Sequence, residues 1–186
     1  MKRYVASRSI PLVIQGVPGI YVHGFMGTVN NHERVKETGV KRDVNRGFID
    51  SEAVERALKD PGSKLSLIRR FGGRLYRART RNRAFHPRGR QKILQLSPDV
   101  FAVVRQSPKK DEHILALTNV TGKEIHLHIP LSEVEVEDRE WQDLLSEKSL
   151  ESEGGMLKTA LEPYGVMWLK PSGEIRASNI KSMKLP

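Results

Sequence analysis

The hydrophobic period of this chain changes near residue 91, and that change limits the folds open to it. Before that point Leu65, Ile68, Phe71 and Leu75 follow helical spacing, which predicts a helix from about Lys64 to Arg81, weakened by Gly72 and Gly73 in its middle. After it the period is two. Lys92–Leu96, Val100–Arg105, His113–Asn119, Glu124–Ile129, Met156–Leu161 and Tyr164–Leu169 predict strands, the first four divided by Ser-Pro or Thr-Gly turn signals. Ile125, Leu127 and Ile129 fall on one strand face; Glu124, His126 and His128 fall on the other. Regular short strands with such punctuation predict an antiparallel β-sandwich over residues 91–170 that folds as an all-β unit.

Charge divides at the same place. Residues 1–92 hold 21 Lys/Arg against 7 Asp/Glu, and residues 93–186 hold 11 against 15. The step predicts a domain boundary near residue 90, with a solvated tail over 171–186. The absence of cysteine rules out disulfides, thiolate metal sites and cysteine nucleophiles. No apolar run approaches the roughly 18 residues of a membrane span. The basic start, Met1 to Tyr4, has no long apolar run behind it, so the expected location is cytoplasmic, with no membrane partner.

In the basic half, a helix reaching past Pro11 meets a Gly16-Val17-Pro18-Gly19 turn. Ile20-Tyr21-Val22 then predicts a short buried strand. Residues 24–45 read as one long loop, and loops of that length inside a domain usually carry function. Asp50 or Ser51 caps a following helix, which Asp60-Pro61-Gly62-Ser63 interrupts.

Several groups carry possible chemistry. Arg69 to Lys92 holds ten cations and no acid, a pattern suited to phosphate neutralisation. A small basic nucleic-acid-binding protein is therefore the second reading, although no RNA-binding or helix-turn-helix signature accompanies the run and nucleic acid is not the expected partner. His126 and His128 have chelating spacing, with His113 the one further imidazole within reach of a neighbouring strand. A solvent-facing pair is the expected outcome, with no metal and no cofactor. The sequon at Asn119 is treated as chance. Glu133, Glu135, Glu137, Asp138 and Glu140 read as an acidic, solvated connection. Arg42 and Arg46 lie four apart on the long loop, and a guanidinium offers a fixed fork for phosphate or paired sugar hydroxyls.

Three motifs in the first half lie in the order of a known family. They are Gly16-Val17-Pro18-Gly19-Ile20-Tyr21-Val22-His23, Gly27-x-x-Asn30-Asn31 and Val35-x-x-Thr38-Gly39-x-x-Arg42-Asp43-Val44-Asn45-Arg46. Further blocks follow at Ala84-Phe85-His86-Pro87, Val100 to Arg105, Leu115 to Thr121, Trp141 to Leu145 and Leu161 to Leu169. Together they resemble the C-terminal third of sucrose-phosphorylase-type enzymes, in the α-amylase superfamily (glycoside hydrolase family 13).

The resemblance implies an α/β plus all-β chain: the last strand-helix unit of a TIM (β/α)8 barrel over residues 1–90, then the β-sandwich over 91–170. Residues 19–23 become the eighth barrel strand, and 24–48 the loop on the active-site face. The implied activity is transfer of an α-glucosyl unit between a sucrose-like glucoside and inorganic phosphate, by double displacement. The implied substrate-binding residues are His23, Arg42, Asn45 and Arg46, with Arg42 reaching the glucosyl ring. Gly24 stands where the family has Ser, and Asn31 where it has an acid. A whole barrel takes roughly 250 residues, and none of the family's catalytic carboxylate motifs is on this chain. The expectation is therefore a C-terminal piece of such an enzyme, inactive alone and completed by an upstream polypeptide.

Overall fold

A computed structural model of the protein describes residues 1–174; the rest of the expected tail, 175–186, lies outside the described residues. The chain divides into two compact units. One holds residues 18–73, and the other holds residues 2–17 together with the chain from Arg74 onward.

The second unit is built on strands β1 (Arg90–Ser97), β2 (Val100–Gln106), β3 (His113–Asn119), β4 (Ile125–Pro130), β5 (Glu140–Asp143), β6 (Ser149–Glu153), β7 (Met156–Leu161) and β8 (Val166–Pro171). Their order is β1-β2-β3-β8-β5-β6-β7-β4, with every neighbouring pair antiparallel. This is the expected all-β architecture. Leu94, Ala102, Val104, Leu115, Leu117, Leu127, Ile129, Trp141, Leu157, Leu161 and Leu169 form its main core.

A second cluster lies on the other face of β2, β3 and β8. Val103, Ile114, Ala116 and Trp168 pack there against Leu12 and Val13 of α1 (Lys2–Val13), Leu75 and Ala78 of α5 (Lys64–Arg81), and Phe85. Strand β3 is consequently buried at every position, because both of its faces are covered. The compact unit thus begins well before the charge step: residues 2–17 and 74–89 belong to it.

Two strands escape the sequence reading. The segments Glu140–Asp143 and Ser149–Glu153 are polar, yet β5 pairs with β6 and β8 and buries Trp141 completely. The acidic connection is also partly paired: Glu135 meets Arg90 at 2.6 Å, and Glu133 meets Lys92 at 3.1 Å. Asn119 is fully buried and donates its amide to the carbonyls of Lys123 at 2.6 Å and Glu162 at 2.9 Å, so the sequon is a turn clamp. His113 on β3 and the two histidines of β4 lie on strands that are not neighbours in the sheet. Among the described residues no group of three or more His, Asp or Glu is arranged to hold a metal.

The first unit is helical. It holds α2 (Val22–Met26), α3 (His32–Thr38), a 3-10 turn (Lys41–Asn45), α4 (Ser51–Lys59) and the start of α5. The starts of α4 and α5 follow their caps. Asp50 Oδ1 accepts from Glu52 N at 2.9 Å, and Ser63 Oγ accepts from Ser66 N at 3.1 Å.

Two expectations fail in this unit. Ile20-Tyr21-Val22 is not a strand: Val22 opens α2, and all three side chains are half exposed. A strand must hand its N–H and C=O groups to a neighbour, and residues 18–73 contain no other strand to receive them. Nor is the long loop structureless. Asn31 and Gly39 bound α3 within it, Asn31 Oδ1 accepting from Arg34 N at 3.0 Å and Gly39 adopting φ 69°.

Candidate functional site

An open groove of about 500 Å³ lies on the segment expected to carry function. His23, Thr28, Asn31, Glu33 and Phe48 are among its lining residues. Local structure places each of them. Gly27 ends α2 in the left-handed region at φ 64°, where a Cβ would collide with the Ile68 side chain. The chain then turns so that His23 Nδ1 lies 2.9 Å from Thr28 Oγ1. Asn31 receives a second tie, its N–H donating to Val44 O at 2.7 Å, which joins the start of α3 to the 3-10 turn. The Arg34 guanidinium sits 5.0 Å from the Phe48 ring, and that ring is 90% exposed.

The expected binding residues divide. His23 lines the groove; Arg42, Asn45 and Arg46 are exposed on and just after the 3-10 turn and do not line it. Tyr21 links the two places. Its hydroxyl donates to Asn45 O at 3.0 Å, and its ring lies 5.2 Å from that of His23. Sequence reasoning passed over Tyr21, Thr28 and Phe48 as site residues. Asn31 was visible inside its motif, whereas the role of Phe48 depends on how α3 and the 3-10 turn meet.

Chemically, the groove offers hydroxyl, amide, imidazole and carboxylate groups beside an exposed ring, a set suited to a polyhydroxylated ligand. Glu33 is the single carboxylate among its lining residues, and it is paired with Lys36 at 2.9 Å. Glycosyl transfer with retention takes two carboxyl groups about 5–5.5 Å apart, so this groove alone cannot perform it.

The perturbed ionisations of the arginines lie in the second unit, at the end of α1. Arg79 donates to the Leu12 carbonyl and, at 2.8 Å, to that of Gly16; Arg105 donates to Val13 O at 2.8 Å and His86 O at 2.9 Å. Burial first, and then repulsion from Arg79, push Arg105 down to about 10, so it is still cationic at neutral pH. Four carbonyls, at and just after the end of α1 and in the 83–86 turn, are answered by these two guanidinium groups.

Residues 68–168 match the family model described as Maltogenic Amylase, C-terminal domain. A glucosylglycerate phosphorylase of Spirochaeta thermophila is 35% identical over 91% of this chain and 30% of its own length. A sucrose phosphorylase of Agrobacterium vitis is 38% identical over 37% of this chain and 14% of its own. Among solved structures, the α-amylase of Geobacillus thermoleovorans superposes with a TM-score of 0.70 at 15% identity, over 91% of this chain and 33% of that one. The chain therefore spans under a third of the length of these curated relatives, and the likeness to the amylase is one of fold.

Proposed function

The chain belongs to the family of maltogenic amylase C-terminal domains, within glycoside hydrolase family 13, and from that premise we propose that it supplies the C-terminal part of an α-glucosyl-transferring phosphorylase. In this reading residues 1–90 complete a catalytic barrel and the sandwich closes it. The catalytic carboxylates come from upstream polypeptide, and the reaction is a double displacement passing a glucosyl unit to inorganic phosphate. The observation that carries the reading is the match to the spirochaete phosphorylase, which runs through nine-tenths of this chain. Glucosylglycerate is favoured over sucrose as the glucoside, because the sucrose phosphorylase of Agrobacterium vitis matches over a much shorter stretch.

Exposed apolar side chains support the same reading. Nine of the thirteen large hydrophobic residues that stand exposed among the described residues fall between Val17 and Ile49, with Phe48 at 90% and Val17 at 83%. A segment that further polypeptide covers would carry such a concentration. Within a barrel, Ile20-Tyr21-Val22 would have strands on both sides and take the extended form expected of it.

Phosphate-dependent release of glucose 1-phosphate from glucosylglycerate tests the proposal. The purified chain should show none, and the chain joined to the upstream region of the spirochaete relative should. Turnover by the chain alone, lost in Glu33→Gln, would overturn it.

A further inference from the structure

The ten cations between Arg69 and Lys92 meet different fates in the folded chain. Arg79 is turned inward onto backbone carbonyls. Arg83 pairs with Asp111 at 3.2 Å, Arg90 with Glu135, and Lys92 with Glu133. Arg74, Arg77 and Arg81 are exposed, and among the described residues no carboxylate lies within ion-pair distance of them.

These three share one helical face. They stand at i, i+3 and i+7 on α5, within an arc of roughly 60° and about 10 Å of helix axis. Leu75 points away from that arc, toward the sheet, and Arg79 toward the end of α1. The helix carries no acid over its 18 residues. Residues 74–81 thus present three guanidinium groups with no carboxylate in ion-pair distance among the described residues.

We propose that this face, made by Arg74, Arg77 and Arg81, docks the phosphate backbone of a nucleic-acid duplex. Charge and geometry favour that partner. A duplex carries one negative charge per about 1.7 Å of axis, so arginines at helical spacing meet phosphates whatever the register. The guanidinium fork suits phosphate oxygens. A membrane surface fits less well, since no large apolar side chain from Arg74 to Arg81 stands exposed to anchor in lipid. Contacts of this kind position the duplex without reading bases, so binding is independent of sequence. The inference does not rest on the phosphorylase reading; it concerns a different face and a different ligand.

Fluorescence anisotropy of the full chain with a labelled 20-base-pair DNA duplex of mixed sequence, titrated with NaCl, tests it. Three phosphate contacts give a log–log slope near −2.7, which is about a 40-fold loss of affinity between 50 and 200 mM salt. The R74Q/R77Q/R81Q variant should lose most of that slope. K109Q/K110Q/K123Q removes the same charge from the sandwich surface and should keep it. Where the triple variant does not fold, as judged by far-UV circular dichroism, R77E is measured in its place. Three results would overturn the proposal: no salt-dependent binding at 50 mM, equal losses in the two triple variants, or displacement of the duplex by polyglutamate as readily as by unlabelled duplex. The last would assign the face to an acidic protein.

Discussion

Arg42 and Asn119 show two ways in which a single residue matters here. Arg42 is exposed on the 3-10 turn, so its removal costs the isolated fold little. In an active assembly with the missing barrel, Arg42→Ala should lower kcat/KM roughly a hundredfold, on the order of 3 kcal/mol. Arg88→Ala, also exposed, should change it by less than about threefold. Equal effects would place the sugar contact elsewhere. Asn119 is the reverse case. Its amide holds the carbonyls of Lys123 and Glu162, and its Oδ1 accepts from Thr121 N at 2.8 Å. Asn119→Ala leaves those buried groups open and should cost about 2–4 kcal/mol in urea unfolding. Asn119→Asp should cost more, because it aims a carboxylate at carbonyl oxygens. A milder effect of Asp than of Ala would contradict this account of the turn.

At the scale of elements, the short helix α6 (Leu131–Val134) is fastened to β1 by charge. Glu135 closes that helix at φ 62° and takes Arg90 through both oxygens, at 2.6 and 3.2 Å. The hydrogen bond from Arg90 holds the Glu135 carboxyl below its ordinary value, with Arg90 and Lys92 adding to the effect. A folded-state carboxyl held low contributes stability above its unfolded pKa, and the contribution is lost as pH falls through the folded value. Glu135→Gln should therefore lower stability at pH 7, and by less at pH 3. Chemical denaturation of both proteins at the two pH values checks it, and a constant gap would show that the pair does not titrate as a unit. The cap of α4 was legible because Asp50 acts on N–H groups two or three residues away. The strand at residues 20–22 was misread for the opposite reason: its pairing partners must come from elsewhere.

For the whole molecule, the consequence lies in where the sandwich ends. Its second cluster sets Trp168, Ile114 and Val103 against α1 and the end of α5. A polypeptide of residues 91–174 alone would expose those side chains, each worth about 1.5–3 kcal/mol when buried. Such a piece should still give a β-type far-UV spectrum but unfold well below the full chain and bind a hydrophobic dye. Equal melting temperatures would mean that the helices add nothing to the sheet. The phosphorylase reading bears on the other unit, where only Gly27 and Ile68 of residues 18–73 are buried.

Much of the architecture follows from the sequence by itself. The period of two after residue 91, the turn residues and the helix caps all act between near neighbours, and they place α4, α5 and six of the eight strands to within about two residues. Motif order does the same for the family. What only the tertiary structure decided are the features made by distant partners. Polar β5 and β6 become strands because β8 and β7 offer them edges. Strand β3 loses its alternation because helices cover its outer face. Ten cations that look alike along the chain are sorted by what stands opposite them: Asp111, Glu133 and Glu135 lie 28 to 45 residues away in sequence from the cations they pair with. Arg74, Arg77 and Arg81 have no such counterpart among the described residues.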